Sequence, residues 1–154
     1  MNAWEQAEGS PFPLGATWLP EQSALNFALY SRHATAVRLL LYSHDDLVHP
    51  IIEVALDYLT NKSGPIWHCR IPWDQSDRLS YYAYRVDGPA PHAGYDFHAF
   101  DFEKILLDPL ARGVFFPDAF SREAACRPGS NAGQAPLGIV PVYTCPFDWE
   151  EDRG

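Results

Sequence analysis

Residues 79–113 read LSYYAYRVDGPAPHAGYDFHAFDFEKILLDPLARG, an alternating apolar run joined to an Asp-Gly-Pro turn and then to a Leu-Leu-Asp-Pro element. From Ser80 to Val86 the alternation has period two. Tyr82, Tyr84 and Val86 share one face, and Tyr81, Ala83 and Arg85 share the other. This pattern predicts a strand with one packed face and one partly wet face, ended by turn formers at Asp87-Gly88-Pro89.

Upstream, the same signature recurs between turn residues. In Leu25 to Ser31 the odd positions are apolar or small and face one way. Ala36 to Tyr42 is apolar apart from Arg38, which suits a central strand, and His44-Asp45-Asp46 breaks it. Ile51 to Leu56 and Ile66 to Ile71 add two more strands, with Asn61 to Pro65 turning between them and Pro72 ending the second. No amphipathic helix of useful length separates these runs, so an antiparallel sandwich is favoured over a βαβ fold. Past Gly94 the pattern weakens. Lys104 to Asp108 precedes Pro109, Val114 to Phe116 reads as a brief strand, and Asp118 to Cys126 as a turn or two of helix capped by Asp118. A flexible loop at 129–133 and a last strand at Ile139 to Tyr143 follow. The fold class expected is all-β, an immunoglobulin-like antiparallel β-sandwich with a loop-rich C-terminal extension over residues 1–146. Residues 147–154 read as the start of a linker, because Phe147-Asp148-Trp149 abuts a charged, Gly-ended tail.

The chain has 154 residues, which suits one domain, whereas a (β/α)₈ barrel needs about 250. Fourteen prolines and 14% aromatic residues agree with a loop-rich β-protein. Eleven basic against twenty acidic side chains leave a net charge of −9, which repels polyanions, so neither nucleic acid nor an acidic membrane face is an expected partner. A neutral glycan is indifferent to that charge. Cys69, Cys126 and Cys145 form no CxxC pair and leave an odd thiol in any disulfide scheme, so they read as reduced. The opening MNAWEQAEGS has no basic or apolar leader region, and no run approaches the ~20 apolar residues of a membrane span, so a cytoplasmic address is expected.

Five segments resemble, in order, the N-terminal domain of isoamylase-type glycogen-debranching enzymes: PFPLGAT at 11–17, LNFALYSRHATAVRLLLY at 25–42, IWHCRIP at 66–72, YAYRVDGP at 82–89 and EKILLDPLARG at 103–113. The ending Phe147-Asp148-Trp149 resembles the segment that leads into the catalytic barrel there. The resemblance implies a module of carbohydrate-binding module family 48 at the front of a glycoside hydrolase family 13 protein that hydrolyses α-1,6 branch linkages in glycogen or related glucans. That chemistry needs a nucleophile and a general-acid carboxylate about 5 Å apart in the retaining geometry, and the family carries them on the barrel. The resemblance therefore implies no catalytic residue in this chain and no cofactor. Asp57, Asp87, Asp96, Asp101 and Asp108 are read as turn formers and surface charges.

The partners implied are α-glucan, as glycogen or maltooligosaccharides, and the catalytic barrel of the parent enzyme. A sugar ring stacks its apolar face on an aromatic side chain, so Trp67, Trp73, Tyr81 and Arg85 are the candidate glucan contacts. Trp67 opens a strand and reads equally as a core anchor, while Trp73 precedes a polar turn and leaves buried and exposed positions open. The glycogen-binding domains of AMP-activated kinase β-subunits also resemble the chain around YRVDG, with a basic residue in the strand that Arg85 matches. Where they carry tryptophans, this chain has His44-Asp45-Asp46-Leu47 and Pro89-Ala90. For docking on a barrel the candidates are Leu106, Leu107, Phe115, Phe116, Phe147 and Trp149, apolar residues in weakly patterned segments whose other reading is internal loop packing. His44, Asp45, Asp46 and His49, or His92, Asp96 and His98, match no usual ligand spacing, so no metal is expected.

Overall fold

The structure is a computed structural model that describes residues 8–73, 79–89 and 100–142. Nine strands follow in chain order among these residues: β1 Gly15–Leu19, β2 Ala24–Tyr30, β3 Ala36–Tyr42, β4 Ile52–Ala55, β5 Lys62–Ser63, β6 Ile66–Pro72, β7 Tyr81–Asp87, β8 Val114–Phe115 and β9 Leu137–Ile139. They form two antiparallel sheets, ordered β1-β2-β6-β5 and β4-β3-β7-β9-β8. The immunoglobulin-like sandwich expected from the alternation is the fold observed.

Register explains the core. In the first sheet Leu25 pairs with Ile71, Phe27 with Cys69 and Leu29 with Trp67, so the apolar halves of β2 and β6 stand on one face. In the second sheet Val37 pairs with Val86, Leu39 with Tyr84 and Leu41 with Tyr82, while Val54 and Ile52 of β4 oppose Leu39 and Leu41. These faces meet as one cluster, and Phe27 meets Tyr82 across it edge to face at 5.2 Å between ring centres. Tyr82, Tyr84 and Val86 are thus the packed face of β7, as the sequence predicts. A one-residue slip would turn this whole set outward.

Asp108 departs from its reading as a surface charge. It is 2% exposed, and its carboxylate accepts both the Tyr82 hydroxyl at 2.7 Å and the Leu110 backbone N–H at 3.0 Å. Two residues before it, Leu106 exchanges backbone hydrogen bonds with Tyr84 at 3.0 and 2.8 Å. The Leu-Leu-Asp-Pro element is therefore fastened to β7 by both side chain and main chain. Burial and the adjoining Asp108 charge push the Tyr82 phenol well above its ordinary range.

Two local expectations change, and a strand face that the alternation left unassigned is covered. Leu137–Ile139, rather than Ile139 to Tyr143, is the last strand seen, and Tyr143 lies outside the described residues. Pro141 lacks the N–H that a continuing ladder requires, and Gly138 is the residue that fits against Tyr82, where an added Cβ would meet the ring at 2.5 Å. The helix, α1, spans Arg122–Cys126 and is capped by Ser121, whose hydroxyl accepts the Ala124 N–H at 3.2 Å, not by Asp118. Finally, both faces of β2 are buried. Asn26 receives the Ser10 N–H at 2.7 Å and donates to the Ser10 carbonyl at 2.9 Å, so the segment before β1 lies over the outer face.

Replacing Tyr82 with Phe should lower stability by about 1.5–3 kcal/mol, since Asp108 keeps its charge and loses its only side-chain donor among the described residues; equilibrium denaturation near neutral pH checks this. Alkaline pH should weaken the fold as well. Burial pushes Tyr42 up to about 12 and also raises Tyr82 and Tyr84 from 10.0. Phenols raised in the folded state support it fully below the unfolded value and progressively less above it. A denaturation midpoint at about pH 11 no lower than that at about pH 8 would contradict this.

Candidate functional site

The outward side of the second sheet carries Arg38 on β3 directly beside Arg85 on β7, with Glu53 on β4 diagonal to Arg38, opposite Leu40. Glu53 Oε1 accepts from Arg38 Nη1 at 2.9 Å and lies 3.8 Å from Arg85 Nη1. The Arg38 guanidinium also sits 5.1 Å from the centre of the Phe102 ring. Further along the same face, Leu40, Tyr42 and Ala83 are covered by Ile105, Ala135 and Leu137 of the extension.

That cover is clamped by polar contacts. The Asn131 side chain accepts the Ile105 N–H at 2.7 Å and donates to its carbonyl at 3.1 Å, the two bonds a neighbouring strand would make. The Lys104 ammonium donates to the Ala124 carbonyl. Asp101 accepts from Gly129 and Glu103 N–H groups, each at 3.0 Å, and these two bonds hold its carboxyl below the usual range. Asp57 and Asp87 likewise accept turn N–H groups, at 2.8 and 2.9 Å. The turn-former reading holds for these three; Asp96 lies outside the described residues. Among the described residues no group of three or more His, Cys, Asp or Glu is placed to hold a metal ion, and Asp46 instead orders its own loop through Val48 and His49 N–H groups.

The four candidate glucan contacts are not brought together. Trp67 is 1% exposed in the core with the Lys62 ammonium over its ring, so its role as core anchor is the one realised and its ring is closed to a ligand. Trp73 is half-buried and packs edge-on against Trp18 at 6.3 Å, at the end of β6 in the same sheet. Tyr81 and Arg85 share the outward face of β7, four positions and roughly 13 Å apart. Tyr81 is stacked on Phe115 with ring centres 4.5 Å apart and planes 16° from parallel.

The docking candidates separate too. Phe115 and Phe116 lie at β8, the edge of the second sheet, where Phe116 is 57% exposed and meets Phe120 at 5.0 Å. Phe120 is also exposed here, as are Val114 and Ile139, which stand on opposite faces of the sheet because Val114 pairs with Gly138. Leu106 and Leu107 instead line a groove on the other side of the extension, and Phe147 and Trp149 fall outside the described residues.

This groove of about 910 Å³ is the cavity that the sequence pattern does not foretell. Its floor is Leu29, Tyr84 and Val86, one wall runs from Phe100 through Lys104 to Pro109, and the other is the Ala125–Gly129 segment, with Tyr30 at the mouth. The only signal in the sequence is Tyr30 itself, an aromatic residue on the even, non-core side of the β2 alternation.

Residues 13–111 match the family described as Carbohydrate-binding module 48 (Isoamylase N-terminal domain). The chain belongs to this carbohydrate-binding module 48 family. Relatives include isoamylase 1, chloroplastic, of Oryza sativa subsp. japonica, 37% identical over 94% of this chain and 17% of its own, and the glycogen debranching enzyme of Erwinia tasmaniensis, 34% identical over 94% and 21%. The chain thus spans about a fifth of the length of such relatives. Solved structures with the same fold include the pneumococcal glycogen-degrading virulence factor SpuA, at 15% identity, TM-score 0.58 and coverage of 92% of this chain and 13% of that one. The group B Streptococcus pullulanase SAP, solved with maltotetraose, aligns at TM-score 0.56 with 14% identity, over 90% of this chain and 16% of its own.

The two described cysteines differ in access. Burial pushes the Cys69 thiol up to about 12, whereas Cys126 is exposed on the groove wall. A thiol-alkylating reagent should therefore modify Cys126 in the native protein and reach Cys69 only in denaturant, as read by peptide mass spectrometry.

Proposed function

We propose that this carbohydrate-binding module 48 domain is the non-catalytic N-terminal domain of an isoamylase-type enzyme that hydrolyses α-1,6 linkages in glycogen or a related glucan. Its main role is to dock on the hydrolase barrel. The observation that carries this reading is the exposed, touching pair Phe116 and Phe120 beside the β8 edge, in a chain that spans about a fifth of its relatives' length. Apolar side chains grouped at one sheet edge mark an interaction surface rather than scatter. Residues 1–146 form the docking domain in this reading, and 147–154 lead toward the barrel. The free thiols Cys69 and Cys126 suit a reducing compartment, and we place the protein in the cytoplasm.

Glucan contact is a second role, favoured by the groove, which lies apart from the β8 edge and has Tyr30 at its mouth.

Docking is tested by mixing the chain with the catalytic portion of a related debranching enzyme, such as that of Serratia proteamaculans, lacking its own N-terminal domain. A complex is expected in sedimentation velocity, and the double substitution Phe116→Ser, Phe120→Ser should weaken it roughly tenfold or more. No complex, or one indifferent to both substitutions, would count against the docking role.

A further inference from the structure

The glucan role can be assigned a place, and the assignment rests on that role being real. We propose that the α-glucan site of this chain is the groove between β2, β7 and the extension, and not the outward face of the second sheet.

An α-glucan offers each aromatic side chain an apolar C–H face and surrounds it with hydroxyls, so its site needs an open ring and polar groups without partners. The sheet face has no fully open ring to offer, and its polar atoms without partners, the Tyr42 hydroxyl and Arg85 Nε, are buried out of a ligand's reach. Phe115 covers one side of Tyr81, Phe102 lies under the Arg38 guanidinium, and Glu53 engages both arginines. Leu40 and Ala83 between these groups are sealed by Ile105 and Ala135.

The groove meets both requirements. Tyr30 is 57% exposed and stacks on no other ring among the described residues. Glu103 and Arg127 line the same space, and their side chains carry no hydrogen bond or ion pair among the described residues, leaving an acceptor and a forked donor for sugar hydroxyls. Lys104 and Asp101 are already engaged with the Ala124 carbonyl and the Gly129 N–H, so the walls are held before a ligand arrives. The floor, from Leu29, Tyr84 and Val86, belongs to the core. A volume of about 910 Å³ lies in the upper part of the range of small-molecule sites, which suits a short oligosaccharide rather than one hexose. The ligand is neutral, so the −9 charge of the protein does not oppose it.

Isothermal titration of the full 154-residue chain with maltoheptaose decides the matter. Saturable binding should weaken roughly tenfold or more in Tyr30→Ala, weaken in Arg127→Gln, and persist in Arg85→Gln. Tyr30 and Arg127 are exposed, and circular dichroism verifies that their variants fold. Binding that survives both groove substitutions and is lost in Arg85→Gln would overturn the groove assignment while leaving the glucan role standing. If the unmodified chain binds no maltoheptaose, the glucan role fails and the groove assignment falls with it.

Discussion

The hydroxyl of Tyr82 and the carboxylate of Asp108 meet inside the protein, and most of what distinguishes this domain depends on that contact. A buried carboxylate needs donors, and Asp108 finds them in a strand residue and in its own turn. The contact fixes where the chain after the Asp-Gly-Pro turn must return. Leu106 is thereby set against Tyr84, Ile105 against the outer face of β3 and β7, and the polypeptide beyond Pro109 is started along the open side of the second sheet. Gly138 completes the arrangement on the same ring, because only a residue without Cβ lets β9 approach Tyr82.

One strand therefore organises both layers. The inward side of β7 anchors the sandwich, and its outward side is the base on which the extension builds a second, smaller apolar cluster. The two candidate surfaces are by-products of that second cluster. Where the extension leaves β7 at Leu106 it opens a groove, and where it returns as β8 and β9 it leaves apolar side chains facing outward. The groove and the exposed edge thus both arise from one wrapped segment.

The large strands were legible because their alternation is strict and their faces are buried: β3 begins and ends where the apolar run does, and β2, β4, β6 and β7 shift by a residue or two at most. Less could be read where main-chain contacts are distant in sequence. β1 has only a glycine and a short apolar run to announce it, and β5 is a two-residue pairing that needs β6 in place. Asp108 looks like any other turn aspartate until Tyr82 is brought to it across 26 positions. The candidate site was read least well, for the same reason. Aromatic identity identifies Trp67 and Tyr81, but whether a ring is open depends on what covers it, and Phe115 and the core are not sequence neighbours of these residues. Tyr30, Glu103 and Arg127 come from three separate segments, and no spacing unites them.

The way the extension is used also places the boundary of the autonomous unit. The family match ends at Ala111, yet Ala135 and Leu137 lie over Leu40, Tyr42 and Ala83, and Val140 joins the main core. The region shared with the family at large is therefore smaller than the piece that closes its own surface, although single relatives align over more than nine-tenths of the chain. A domain cut at the edge of the shared region would carry an unroofed sheet, with apolar side chains in water and a free β7 edge beside them. Recognisability and self-sufficiency have different limits in this protein, separated by the residues between Ala111 and Val140.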